Sequence, residues 1–189
     1  MSAVTALVCL TLVVGTSIGY ETGAPTVACS SMTPNHLDIE PEPLSSCPFE
    51  VTQSRIVYGN MSETITVTLA TLPGSQDSFR GFLIKAFNPL NGRSIGQFTA
   101  TSDAVQILPQ CHGATHTSRV GKKSVTLIWT PTDVEEGDPL VVFRTTFVQS
   151  FTHFYVGVDS KIDGESAIQH IANAINGRDS GGSSFDEDE

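Results

Sequence analysis

The chain has 189 residues, ten basic side chains against twenty acidic ones, and a formal net charge of −10 at pH 7. That length supports one domain with a substantial core plus terminal segments, and 39% hydrophobic residues with a mean hydropathy of +0.02 suit a soluble, β-rich globule. An acidic balance of this size argues against nucleic acid as a partner, because phosphate backbones are bound through a basic footprint.

Ala3 to Val14 form a short apolar run followed by the small residues Ser17 and Gly19, so residues 1–19 read as a secretory signal peptide. The run is shorter than the ~20 apolar residues that span a bilayer, and no later segment spans either. The mature chain is therefore expected to be secreted and extracellular. Glu21 to Ser46 carries Pro25, Pro34, Pro41 and Pro43 among many Ser and Thr. Such a stretch cannot be a helix and predicts an extended wrap along the domain edge, tied down through Cys29.

Strands follow. Phe49 to Tyr58 is the first, with a bulge near Gln53-Ser54 where the alternation slips phase. Ile65, Val67 and Leu69 alternate with Thr64, Thr66 and Thr68, a strand with one face inward. Phe82, Leu83, Ile84, Ala86 and Phe87 form a nearly unbroken apolar run, as in a strand covered on both faces. Asn88-Pro89 ends it, Asn91-Gly92 supplies a hairpin turn, and Ile95 and Phe98 carry the return strand. Short strands are predicted at Val105 to Leu108, at Lys123 to Thr130 with Val125, Leu127 and Trp129 inward, and at Leu140 to Val148. Phe154 to Val158 completes the set, with Phe154, Val156 and Val158 inward and Tyr155 outward. Closely spaced strands with turn signals between them imply an all-β, antiparallel β-sandwich covering residues 20–162. Residues 163–189 hold one short helical pattern, Ser166 to Ile175, whose Ile168, Ile171, Ala172 and Ile175 share a face, and then an acidic tail of disordered composition.

Cys9 lies in the leader, leaving Cys29, Cys47 and Cys111. In an oxidising compartment three cysteines mean one pair and one thiol left over, free or intermolecular. No CxxC occurs. His112 and His116 are four apart beside Cys111, with His153 elsewhere, but the segment reads as loop and strand, where that spacing does not make two ligands converge. No metal and no cofactor are expected. A GxSxG elbow is missing and the acidic clusters fall in a turn and a tail, so a non-enzymatic protein is expected. Arg119, Lys122 and Lys123 form a basic cluster on a glycine-containing loop, aided by His116 at lower pH. They are the candidate contacts for an anionic ligand, with Tyr155 the candidate on an aromatic face. Asn60-Met61-Ser62 is an N-glycosylation sequon. The four carboxylates of Asp186 to Glu189 read as a solubilising end.

Taken together these residues resemble the reeler family, the reelin-type N-terminal domain, and especially small secreted insect defense proteins. The match is carried by Gly23-Ala24-Pro25 with Cys29, Met32, Pro34 and His36, then Phe79-Arg80-Gly81-Phe82 with Ala86, Ile95-Gly96 and Phe98. Cys111, Ala114-Thr115-His116, Lys123, Trp129-Thr130-Pro131, Phe143 and Phe154-Tyr155-Val156 complete it. The resemblance implies an immunoglobulin-like β-sandwich, a disulfide between Cys29 and Cys111, and a role in innate immunity through microbial cell-wall glycans or glycolipids. It is also seen in neuronal matrix proteins and membrane-bound ferric-chelate reductases. With no further module or span in the sequence, the stand-alone defense type is the expectation. Cys47, the acidic tail, and Tyr155 where tryptophan is expected depart from the family pattern. The alternative reading is a structural extracellular-matrix protein assembling through the acidic tail and a disulfide-linked dimer at Cys47.

Overall fold

The computed structural model describes residues 20–36, 38–59, 62–132 and 139–179, with side chains described as far as residue 176. The sequon at Asn60, the acidic turn at residues 135–138, the leader and the acidic tail lie outside the described residues.

Two sheets form the body. The first contains β1 (Phe49–Gln53), β2 (Ile65–Thr71), β4 (Gln97–Thr99), β7 (Ser124–Thr130), β10 (Lys161–Ile162) and β11 (Glu165–Ser166), in the order β11-β10-β1-β2-β7-β4. The second contains β3 (Gly81–Phe87), β5 (Val105–Leu108), β6 (Gly113–His116), β8 (Val142–Val148) and β9 (Phe154–Asp159), in the order β5-β6-β3-β8-β9. Strand pairs are antiparallel except β1 with β10. The predicted phase of β2 and β7 holds, since Ile65, Val67, Leu69, Leu127 and Trp129 are fully buried and Val125 nearly so. They meet Phe82, Ile84, Ala86, Phe143 and Phe147 of the second sheet in one continuous core. Trp129 is the hub. Its indole packs edge-on against Tyr58 and Phe143, and its Nε1–H donates to the Ile95 carbonyl at 3.2 Å.

The outer face of β3 is covered as well, which explains its unbroken apolar run. Leu83 lies beneath Cys29, Met32, Leu108 and Cys111. The N-terminal segment forms a 3-10 turn at Thr26–Cys29 and is clamped there by a Cys29–Cys111 disulfide with Cα atoms 5.7 Å apart. Lys85 Nζ donates to the Cys29 carbonyl and Thr146 Oγ1 to the Met32 carbonyl, at 3.0 and 2.6 Å. The proline-rich wrap is therefore the lid of the second sheet. A second 3-10 turn, Leu44–Ser46, leads it into β1.

Two local expectations change, and one element is new. The hairpin after β3 turns at Asn91-Gly92, but only Ser94 and Ile95 bond back to β3; Phe98 crosses to the first sheet and pairs with Trp129. Gly96, at φ +64°, makes the crossing possible, since a Cβ there would sit 2.2 Å from the indole Cζ2. β1 stops at Gln53 rather than bulging on to Tyr58, because the Gln53 amide turns inward. Its Nε2 donates to the Arg55 and Val141 carbonyls at 2.7 and 2.9 Å, and its Oε1 accepts from the buried Ser160 hydroxyl. Buried polar groups need such partners, so the network pins β1 to the segments beside β8 and β10. The Asp163-Gly164 pair makes a tight hairpin between β10 and β11, both residues at positive φ, that the sequence reading did not anticipate. Helix α1 (Ala167–Asp179) follows and seats Ala167 and Ile171 on Ile56, Leu140 and Val142, while Ile175 stays exposed.

Candidate functional site

Lys122, expected in solvent with Arg119 and Lys123, is a clamp instead. It is 9% exposed, and its ammonium donates to the carbonyls of Arg80, Ser118 and Val120 at 3.0, 2.6 and 2.7 Å. Its backbone exchanges hydrogen bonds with Phe79, and burial pushes its pKa down. The β6–β7 loop is thereby held from beneath and bound to the start of β3. Arg119 and Val120 project from it; Arg119 is paired with the exposed Glu21 at 2.6 Å, an ion pair solvent largely screens. Lys123 is exposed, with Nζ 3.4 Å from the Ser75 carbonyl.

His116 is likewise no surface cation. It is 8% exposed, its Nδ1 accepts the Phe82 backbone N–H at 3.2 Å, and burial drives its pKa down. Gly81 leaves room for the ring, since a Cβ there would come within 2.8 Å of His116 Cε1. His112 points elsewhere, its Nδ1 2.7 Å from the Gly96 carbonyl. The two histidines do not converge, and no group of three potential metal ligands occurs among the described residues.

Tyr155 reverses its predicted face. It pairs across the ladder with Phe147, which points inward, so Tyr155 also enters the core, edge-on to Phe49. Burial raises its pKa. Phe154 faces outward yet is fully buried, because His36 of the N-terminal wrap packs edge-on against it. Both faces of β9 are covered at this point, so hydrophobicity could not set the phase. Cys47 is half-buried and unpaired with another cysteine; its thiol contacts the Phe49 carbonyl, and burial raises its pKa.

What the fold assembles at this end is a polar cleft of about 370 Å³. Gln76, Asp77, Ser78 and Arg80 line it from the β2–β3 connection, and Gln149, Ser150 and His153 from the β8–β9 turn. Both oxygens of Asp77 are committed, one to the Ser75 hydroxyl at 2.7 Å and the other to Gln149 Nε2 at 2.8 Å. His153 is fixed by Ser150 and Thr152, whose hydroxyls lie 3.2 and 2.9 Å from its Nδ1, and its Nε2 lies 3.9 Å from Glu42. Arg80 is exposed and backbone-bonded to the Val148 carbonyl at 2.8 Å, while its guanidinium makes no hydrogen bond or ion pair with the described residues. Alternation gave no signal for it, since Arg80 lies two residues before the inward Phe82; its exposure comes from its place just ahead of β3, where the chain enters the strand.

A two-sheet, mainly antiparallel sandwich roofed by a disulfide-tied N-terminal segment defines the class of β protein to which the chain belongs. Residues 27–167 match the model of the reeler domain, and the chain belongs to that family. It is 34% identical over 146 residues to "Putative defense protein 3" of Antheraea mylitta, covering 75% of this chain and 83% of that protein. It is 37% identical over 147 residues to "Putative ferric-chelate reductase 1" of Danio rerio, covering 75% of this chain but only 24% of the relative. The chain thus spans about a quarter of that reductase-named relative. The solved reeler domain of human F-spondin aligns with a TM-score of 0.46 at 19% identity, over 64% of this chain and 84% of that one.

Proposed function

We propose that this chain is a secreted, non-enzymatic defense factor that attaches to microbial surface glycans or glycolipids through the end of the sandwich bearing the β6–β7 loop. The observation that carries the reading is the Lys122 clamp, which holds Arg119, Val120 and Lys123 outward and Arg80 alongside. A loop already ordered before contact loses less conformational entropy on binding. The defense-named relative, spanned over 83% of its length, supports the biological setting. The apolar leader and the Cys29–Cys111 bond support secretion. No helix among the described residues is long and apolar enough to cross a membrane.

The test is direct binding of the folded chain to lipoteichoic acid, lipopolysaccharide and β-glucan over a range of salt. Exposed cationic contacts are screened over a Debye length of about 8 Å at physiological salt, so binding to the two anionic polymers should weaken as salt rises. The double change Arg119→Gln with Lys123→Gln should weaken it without unfolding the domain, whereas Lys122 has to be left intact. Absence of binding to all three polymers would refute the reading.

A further inference from the structure

We infer that the cleft between the β2–β3 connection and the β8–β9 turn is a phosphate subsite, taking a phosphate group carried on a glycopolymer or glycolipid, with Arg80 as its charged contact. The inference rests on the reading of this end of the molecule as the binding face and names the chemistry recognised there.

Four observations converge. Arg80 is the cation of the lining with an uncommitted guanidinium, and its backbone is anchored to β8, so the charge stands on a fixed base. Guanidinium recognises phosphate through paired, charge-assisted hydrogen bonds. Asp77, the anion of the lining, accepts from the Ser75 hydroxyl and from Gln149 Nε2 and makes no ion pair with Arg80, so the guanidinium has no bound counter-ion among the described residues. The Ser78 hydroxyl and the Gln76 side-chain amide, neither hydrogen-bonded to a described residue, line the same volume. They offer further donors to an acceptor with several free oxygens. Finally, the lining contains no Phe, Tyr or Trp ring. The apolar face of a neutral sugar has nothing to pack against there, so the lining favours a charged, oxygen-rich group.

The experiment uses the folded, isotopically labelled chain. Inorganic phosphate should shift the backbone amides of Ser78, Arg80, Ser150 and His153, and Arg80→Gln should abolish those shifts. The same variant should bind lipoteichoic acid and lipopolysaccharide about ten- to a hundredfold more weakly, as expected for one lost charge-assisted contact. Arg55→Gln, the same loss of charge at a side chain outside the cleft, should leave binding unchanged. The two polymers separate the sources: loss on both identifies the phosphate shared by polyol-phosphate and lipid headgroup, and loss on one identifies which carries it. If both polymers bind, inorganic phosphate moves no cleft amide and Arg80→Gln binds like wild type, the subsite is refuted while the broader reading stands. If phosphate shifts the cleft amides but neither polymer binds, the subsite stands and the microbial reading falls. Equal displacement of the polymers by glucuronate and by phosphate would overturn the phosphate assignment.

Discussion

Lys122→Met tests whether a buried ammonium organises the β6–β7 loop. Methionine keeps most of the unbranched stem, so packing against the loop changes little, and what disappears is a cation donating to three carbonyls at 2.6–3.0 Å. Each such charge-assisted bond contributes about 1.5–3 kcal/mol. Removing the charge also relieves its burial cost, and the Ser118 and Val120 carbonyls sit on a loop where water can reach them. The net loss should be about 2–4 kcal/mol, at the upper end of single substitutions. Equilibrium unfolding in guanidinium chloride, with the slope unchanged, reads it directly. Hydrogen exchange should accelerate across residues 117–123 before the rest of the sheet. Lys122→Met that loses less than about 0.5 kcal/mol, with loop exchange unaltered, would mean the ammonium is not the clamp.

Other outcomes are equally open to measurement. Replacing Cys29 and Cys111, 82 residues apart, by serine should cost about 4.5 kcal/mol on the chain-entropy model; a loss under ~1 kcal/mol would mean the N-terminal lid holds by packing alone. Trp129→Ala should cost ~3–5 kcal/mol as a large-to-small core change, and a calorimetric loss below ~1 kcal/mol would contradict its place at the hub. His116 and His36 both have pKa values lowered by burial from 6.5, so the unfolded chain binds more protons than the folded one below that value. Their stabilisation is complete above pH 6.5 and is lost as pH falls through the depressed folded values. The Tm of His116→Gln should accordingly fall less than that of wild type between neutral and mildly acidic pH; parallel profiles would count against the buried neutral imidazole. Cys47, half-buried with a raised pKa, should alkylate slowly in the native protein and rapidly once unfolded. Native labelling at the unfolded rate would place it in solvent.

Strands whose two faces have unequal environments announce themselves. In β2 and β7 threonine and serine alternate with Val, Leu and Trp, and that period alone set their phase. The run in β3 lacks alternation for an equally legible reason, being covered by the core on one side and the disulfide-tied wrap on the other. Cysteine counting left one pair and one thiol among three residues, and family resemblance rather than spacing pointed to Cys29 with Cys111. The sequence could not place Tyr155, because the wrap that buries Phe154 arrives more than a hundred residues earlier in the chain. Nor could it separate Lys122 from Arg119 and Lys123, since three neighbouring cations look alike until long-range pairing decides which meets the Arg80 carbonyl and which meets water. Arg80 joined Ser150 and His153 only through the pairing of β3 with β8. Local pattern determines which residues can be buried; the coverings supplied from distant parts of the chain decide which of the remaining polar groups stay free to bind.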